Sequence, residues 1–395
     1  MRKLVCLAIV AALLGGIPTS ARAQNNFPVP PVDFTGPLSH PRYETGGFFV
    51  AIEGLFLRQN RPLQNEPIAF RGIVDGDGSI TGQAPGTFAG SGQLALSTSQ
   101  LRGPGTYQPG WDLTVGWLFE NEVAIQANWK HLLEGRYAAT ATLAPRGALN
   151  NVGLIDTFLT AGVYNFPIEF AGNPQNVNAG NTGATFGIWN AATLMQEQFL
   201  QRFDIYEISG RFPLAQTDNH RYYGLAGPRI VWFWERFLWR TVDADLTGNS
   251  GPNTTADYTN VVSNRLYGVH FGVGHDWFLG DTPVGAFSWT MDCEGGLYID
   301  FAKLRAKYER GDRAIAASRA RNVWSFVPGA EVNLKLWWFP WEGVQMSVGY
   351  DFMAFFNTWS SPQPVDFNMG AIDPQYNSGT FRWLHGLQFG IAFVF

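Results

Sequence analysis

Carboxylates and basic side chains, 32 and 27 of them, are the only groups plentiful enough here to build a charged site. The six histidines are scattered without an H-x-x-x-H pair, and Cys293 has only Cys6 as a possible companion. Neither spacing suits a metal centre, so no metal and no other cofactor is expected. No G-x-x-x-x-G-K-[ST] loop occurs, which removes the usual nucleotide cradle. Arg310-Gly311-Asp312 spells an adhesive tripeptide, but three residues match easily by chance. A hydrolase would need His131 or His270 beside a carboxylate or a serine at matched depth. His131 follows Trp129 on an apolar-face parity, and the neighbours His275 and Asp276 would point to opposite faces of a strand. What remains is a set of polar and charged residues that share the polar face of alternating segments. They are Glu53, Asp112, Gln126, Lys130, Glu207, Arg211, Arg229, Asp292, Glu294, Glu331, Lys335 and Asp351.

The elements that carry them alternate with period two, which sends one set of side chains to each face of a sheet. In 111–119, Trp111, Leu113, Val115, Trp117 and Phe119 oppose Asp112 and Thr114. In 324–338, Phe326, Val332, Leu334 and Leu336 share a parity opposite Glu331, Asn333 and Lys335. Similar stretches lie near 48–58, 122–131, 202–212, 221–235, 262–278, 289–301, 344–354 and 381–395, ten in all. The connections alternate as well. Short turns are expected at Glu120-Asn121, Thr217-Asp218, Asp281-Thr282-Pro283 and Pro340-Trp341-Glu342, and long loops after the odd-numbered segments.

Composition fits that pattern. Charged residues make up only 15% of the 395, aromatics also 15%, with 45 Gly and 15 Trp. An ordinary soluble domain is about 25% charged. No uncharged apolar run in the body of the chain reaches the ~18–20 residues of a membrane helix. Residues 1–23 read as a secretory signal: Arg2 and Lys3, an apolar stretch from Leu4 to Ile17, and an Ala21-Arg22-Ala23 cleavage site. Removing them leaves 24 basic against 32 acidic side chains, a net charge of −8. That balance argues against a nucleic-acid partner. Residues 24–46, with five prolines, read as an extended periplasmic leader. Residues 47–395 then form one all-β domain.

Strands of 9–15 residues, tryptophans near their ends and unequal connections point to an antiparallel transmembrane barrel of 10–12 strands. Short turns would face the periplasm and long loops the exterior. A soluble sandwich also alternates, but its strands usually run about 5–6 residues. The chain ends with Leu387, Phe389, Ile391, Phe393 and Phe395 on one parity. This resembles the C-terminal signal that outer-membrane barrels present to the barrel assembly machinery. Four fragments narrow the likeness: Gly47-Phe48-Phe49-Val50, Gly227-Pro228-Arg229, Asn264-Arg265-Leu266-Tyr267-Gly268 and Gly349-Tyr350-Asp351. Together they resemble the planctomycete-type outer-membrane β-barrel family, relatives of the major-outer-membrane-protein-like pore formers. The resemblance implies a bacterial outer-membrane location, with pore formation as the default function.

On this reading the polar face lines a lumen. Glu294, Glu331 and Asp351 should meet at mid-depth, with Arg229 as the only base there. The leading expectation is a narrow, non-enzymatic pore for small polar solutes with an acidic constriction. The alternatives are a non-conducting structural or surface-interaction barrel and, more remotely, a rim hydrolase. The basic stretch 302–321 is expected to be an outer loop, with lipopolysaccharide phosphates or the lumen as its partner. If the terminal row is an assembly signal, deleting Phe395 should sharply lower the heat-modifiable barrel in the envelope while export stays normal. Undiminished barrel levels would remove that role.

Overall fold

Alternating apolar and polar residues leave each strand with two incompatible faces, and a closed ring is one way to satisfy both without an open edge. The computed structural model describes residues 36–38, 47–75, 78, 81–101, 106–143, 154–165, 170, 188–244 and 248–395. Within them ten long strands hydrogen-bond in a ring: β1 Gly47–Gln59, β2 Gln108–Leu118, β3 Ala124–Thr142, β4 Leu194–Gln216 and β5 His220–Val242. The ring continues with β6 Thr255–Thr282, β7 Gly285–Arg310, β8 Ala316–Trp341, β9 Val344–Gln363 and β10 Gln375–Val394. Every neighbouring pair is antiparallel, and β1 pairs with both β2 and β10, which closes the barrel.

The four tight turns fall where the sequence places them. At two of them Gly285 and Gly343 take positive φ (120° and 77°), a conformation that side-chain-bearing residues avoid. The outward face carries an apolar girdle that includes Ile52, Val269, Ile299, Phe326 and Phe352, each at least 40% exposed. Leu387, Phe389, Phe393 and Phe395 are exposed as well, in line with their shared parity.

The other end departs from expectation. Residues 302–310 do not form a loop but continue β7, and 316–321 open β8, with only 311–315 between them. The reason is visible in the alternation. Ala302, Leu304, Ala306 and Tyr308 are buried inside the ring, while Lys303, Arg305 and Lys307 point outward. Arg310 and Asp312 of the tripeptide pair with each other across that tight turn (2.6 Å). The connections after β5 and β9 are short too. Long excursions remain only after β1 and β3.

Four layers fill the interior, with a buried polar tier of Gln201, Glu235, Asn264 and Arg382 between the third and the fourth. At the short-turn end, Phe49, Ala51, Leu118, Ala124, Trp337, Ala392 and Val394 pack around Leu38. Gly36–Leu38, within the segment read as a leader, thus lie against the inside of the short-turn end; the rest of 24–46, and residues 1–23 that read as a signal, lie outside the described residues. Leu38 donates its backbone N–H to Gln345 Oε1 (2.8 Å), and Arg211 reaches the Pro37 carbonyl (3.4 Å). A layer of charged side chains comes next. Above it lie Leu55, Leu57, Leu132, Phe203, Ile205, Val231, Phe233, Leu266, Tyr298, Val327, Met353, Phe355 and Leu384, none more than 2% exposed. The far end is filled by the connections, which bring Leu63, Ile68, Leu96, Leu159, Trp189, Val365 and Met369 against Phe199, Trp239, Tyr258 and Tyr308. Pro67–Arg71, Leu94–Ser97, Leu159–Thr160 and Asn190–Ala192 form a small sheet in this region.

Glu197 is buried in that far end, beyond the apolar girdle, and neither of its carboxylate oxygens has a hydrogen-bond partner. Burial, with a smaller contribution from Glu66, pushes it up to about 8, and burial pushes Glu66 up to about 7. A raised carboxyl pKa means the folded state holds the proton more tightly. The associated stability is therefore present at acid pH and lost as pH rises toward 8. Unfolding followed by denaturant at pH 5 and pH 8.5 should show a lower midpoint at the higher pH. Glu197→Gln should shrink that difference and raise the pH 8.5 midpoint. An unchanged gap would place the pH sensitivity elsewhere.

Candidate functional site

The charged layer is built from residues of nine strands, β1 to β9. Arg229 on β5 is its hub. Its guanidinium contacts Glu207 on β4 (2.5 Å), Glu294 on β7 (2.5 Å) and Glu331 on β8 (2.8 Å). Lys130 on β3 crosses the barrel to Glu331 (3.0 Å) and Asp351 on β9 (2.5 Å). Lys335 on β8 spans to Glu53 on β1 (2.7 Å). Nearer the short turns, Asp276 accepts from Arg211 (2.6 Å) and Arg221 (2.8 Å), and Asp292 accepts from the Tyr223 hydroxyl (2.6 Å). Asp112 on β2 accepts from Asn128 (2.5 Å).

All twelve residues expected on the inward face are on it. One expectation about their pairing is corrected: Arg229 is not the only base at mid-depth. Lys130 shares Glu331 with it, and Asp351 pairs with Lys130 rather than with Arg229. A lysine chain is long enough to cross a ring whose interior is this narrow. Sequence reasoning also left out Arg221, Asp276, Tyr223 and the fully buried pair Arg382–Glu235 (2.6 Å). Arg221 has the parity of Arg229, and Arg382 the parity opposite Phe389. Position along the strand alone would have exposed both.

Counted over the described residues, eight carboxylates (Glu53, Asp112, Glu207, Asp276, Asp292, Glu294, Glu331, Asp351) face five bases (Lys130, Arg211, Arg221, Arg229, Lys335). The surplus of three acids borders a cavity of about 110 Å³ lined by Asp112, Gln126, Glu207, Asp292, Glu294 and Lys335, among others. Polar walls and that volume suit water. Ile205 of the apolar layer bounds the cavity on one side, and Pro37 and Leu38 line it from the short-turn end. The layer is thus a paired network with a polar pocket, enclosed by apolar groups on both sides.

His270 is wholly buried in this layer, with Nε2 3.6 Å from Glu207 and 3.9 Å from Glu294. These three side chains converge closely enough to offer donors to a metal ion. Arg229 bridges the same two carboxylates, so its guanidinium already supplies the positive charge a cation would bring.

The second cluster lies on the outer wall. His131 Nδ1 hydrogen-bonds Asp204 (2.6 Å), and the indole of Trp129 donates to the same carboxylate (3.4 Å). Trp111 packs on the imidazole, with ring centroids 4.3 Å apart. His131 does therefore have a carboxylate partner, one that sequence spacing could not reveal. No serine or cysteine is among the hydrogen-bond partners of the pair in the described residues.

No family model matches the chain, and no curated protein does. The resemblance of the four sequence fragments gains no support from either comparison. Among solved structures, the outer membrane protease OmpT from Escherichia coli aligns at 8% identity and a TM-score of 0.38, over 88% of this chain and 97% of that one. A Pseudomonas aeruginosa FadL homologue aligns at 9% identity and a TM-score of 0.20, over 89% and 90%. The toluene transporter TodX of P. putida gives 6% and 0.19, over 89% and 90%. Likeness at this level says nothing about activity.

Removing one partner of a buried ionic network leaves stranded charge, at a cost of about 3–5 kcal/mol. Arg229→Met should therefore lower the denaturant midpoint of the refolded barrel strongly. Adding Glu207→Gln and Glu294→Gln to it should recover part of the loss. A single substitution without effect would mean that the carboxylates are already neutral.

Proposed function

We propose that this chain is a bacterial outer-membrane β-barrel with a filled interior, whose work is done by its outer surfaces rather than by a channel. The apolar girdle supports the membrane placement, because an exposed apolar surface that runs around a whole ring has no stable place in water. The observation that carries the filled reading is the apolar layer from Leu55 to Leu384, buried throughout and lying across the barrel between the charged layer and the loop-filled end. A polar solute would have to cross it without a hydrogen-bonding wall. Eight strands enclose an interior that side chains fill, and ~16 leave a water channel. Ten strands with this content stand near the filled limit.

The role that fits is a structural or surface-interaction barrel holding the folded connections after β1 and β3 at its outer end. Its partners on this reading are outer-membrane lipid, lipopolysaccharide and, through the row ending in Phe395, the assembly machinery. A narrow pore for small polar solutes is the second reading, favoured by one observation: the carboxylate surplus around the cavity. The rim-hydrolase reading rests on His131–Asp204 alone and lacks a nucleophile among that pair's partners.

Refolded protein in planar bilayers should show no resolved conductance steps. Phe233→Ala with Phe355→Ala removes two large side chains of the apolar layer and should raise ion leakage, provided that the variant stays heat-modifiable. Cation-selective conductance in the wild type, reduced by Glu294→Gln with Glu331→Gln, would overturn the filled reading in favour of the pore.

A further inference from the structure

The outer wall carries charge that nothing in the described chain neutralises. Beyond the aromatic edge of the girdle, Arg236 on β5, Arg265 on β6, and Lys303 and Arg305 on β7 all point outward. Register brings them together. Arg236 pairs across to Val261 and Val261 to Arg305, while Ser263 lies opposite Lys303 and Trp232 opposite Arg265. With strands ~4.8 Å apart, Arg236 and Arg305 sit roughly 10 Å from each other across one intervening strand. None of the four has a carboxylate partner among the described residues. Their neighbours do: Arg202 holds Glu134 (2.5 Å), Arg240 holds Asp257 (2.7 Å) and Lys307 holds Glu309 (2.9 Å). The gap in pairing is therefore local.

Two further observations point to a ligand. Arg236 Nε is buried with no hydrogen-bond acceptor, an arrangement that costs free energy unless something outside the chain supplies one. The cations also stand on an aromatic shelf: Arg265 over Trp232 (5.9 Å), Lys303 over Phe301 (5.4 Å), and Phe301 packed on Trp324 (4.6 Å). The opposite side of the barrel is different. Along β8, β9, β10, β1 and β2, Arg58 over Trp383 is the cation that stands at a comparable outward position. A shelf of rings topped by unpaired cations matches an amphiphile whose acyl chains lie along apolar wall and whose phosphates sit just above it. Guanidinium groups suit phosphate because they donate two parallel, charge-assisted hydrogen bonds.

We propose that Arg236, Arg265, Lys303 and Arg305 form a binding site for the phosphate groups of a phosphorylated lipid in the outer leaflet. The site rests on the outer-membrane reading above. It turns a general lipid contact into a specific one, on a single side of the barrel.

The test uses the full mature chain refolded into phosphatidylcholine nanodiscs containing diphosphoryl lipid A, or lipid A stripped of its phosphates, with retained lipid measured by native mass spectrometry. The wild type should retain the diphosphoryl form selectively. Replacing all four cations by Gln should weaken retention roughly a hundredfold, and Arg58→Gln should leave it unchanged. If the fourfold variant does not fold, Arg265→Gln with Lys303→Gln should still reduce retention measurably. Equal retention of both lipids by an inserted, heat-modifiable wild type would overturn the site while leaving the barrel reading intact. Displacement by millimolar inorganic phosphate would overturn the lipid as the occupant. Failure of the wild type to insert would remove the membrane reading and this site with it.

Discussion

A ring of ten strands has an interior too narrow to be left empty and too long to be filled by one kind of side chain. Closing the ring satisfies the backbone, since β1 finds partners in both β2 and β10. It also forces the inward residues of all ten strands into contact with one another, whatever their chemistry. The charged layer is where this constraint is most demanding. Buried carboxylates need cations at hydrogen-bonding distance, and Lys130 and Lys335 meet that need by reaching across the ring. The apolar layer above and the packing around Leu38 below then set the depth at which the charges can sit.

Burying charge does not by itself make a barrel stable, because desolvation offsets much of the attraction. Its value here is geometric. Arg229 makes its three carboxylate contacts only if β4, β5, β7 and β8 hold one register. A slip of one residue in any of them would turn a charged side chain outward into the girdle and an apolar one into the network. The same network that costs solvation therefore penalises misregistered rings, which an all-apolar interior would tolerate.

Parity was legible in the sequence because a strand repeats every two residues wherever it lies, and all twelve inward residues follow from it. Partners were not legible. Lys130 and Asp351 are 221 residues apart, and their meeting depends on register accumulated around the barrel. Bulges add to the difficulty. A register shift opposes Gln201 to Gly135 and Phe203 to Leu132, so β3 changes parity there: its buried residues are even-numbered up to Leu132 and odd-numbered from Gly135. The stretch 302–310 misled for another reason. Its outward face is basic because it lies past the girdle, and charge at Lys303, Arg305 and Lys307 reads like a loop when the buried Ala302, Leu304, Ala306 and Tyr308 are taken for chance.

The alternation also answers why so many polar groups were placed in a filled interior at all. Strands apolar on both faces would pack such a ring more cheaply. They would also be continuous apolar runs in the unfolded chain, close to the length that a membrane helix needs. On the outer-membrane reading proposed above, the chain must first pass through another bilayer and then through water. Interrupting each strand with inward Glu, Asp, Lys, Arg or Gln keeps the mean hydropathy near zero, at −0.08, even though the finished wall is apolar. On that reading the surplus of carboxylates inside follows from transit as much as from function, and it need not mark a route for ions. On the same reading, what the folded barrel offers to other molecules is on its outside: the loop-filled end and the unpaired cations of β5, β6 and β7.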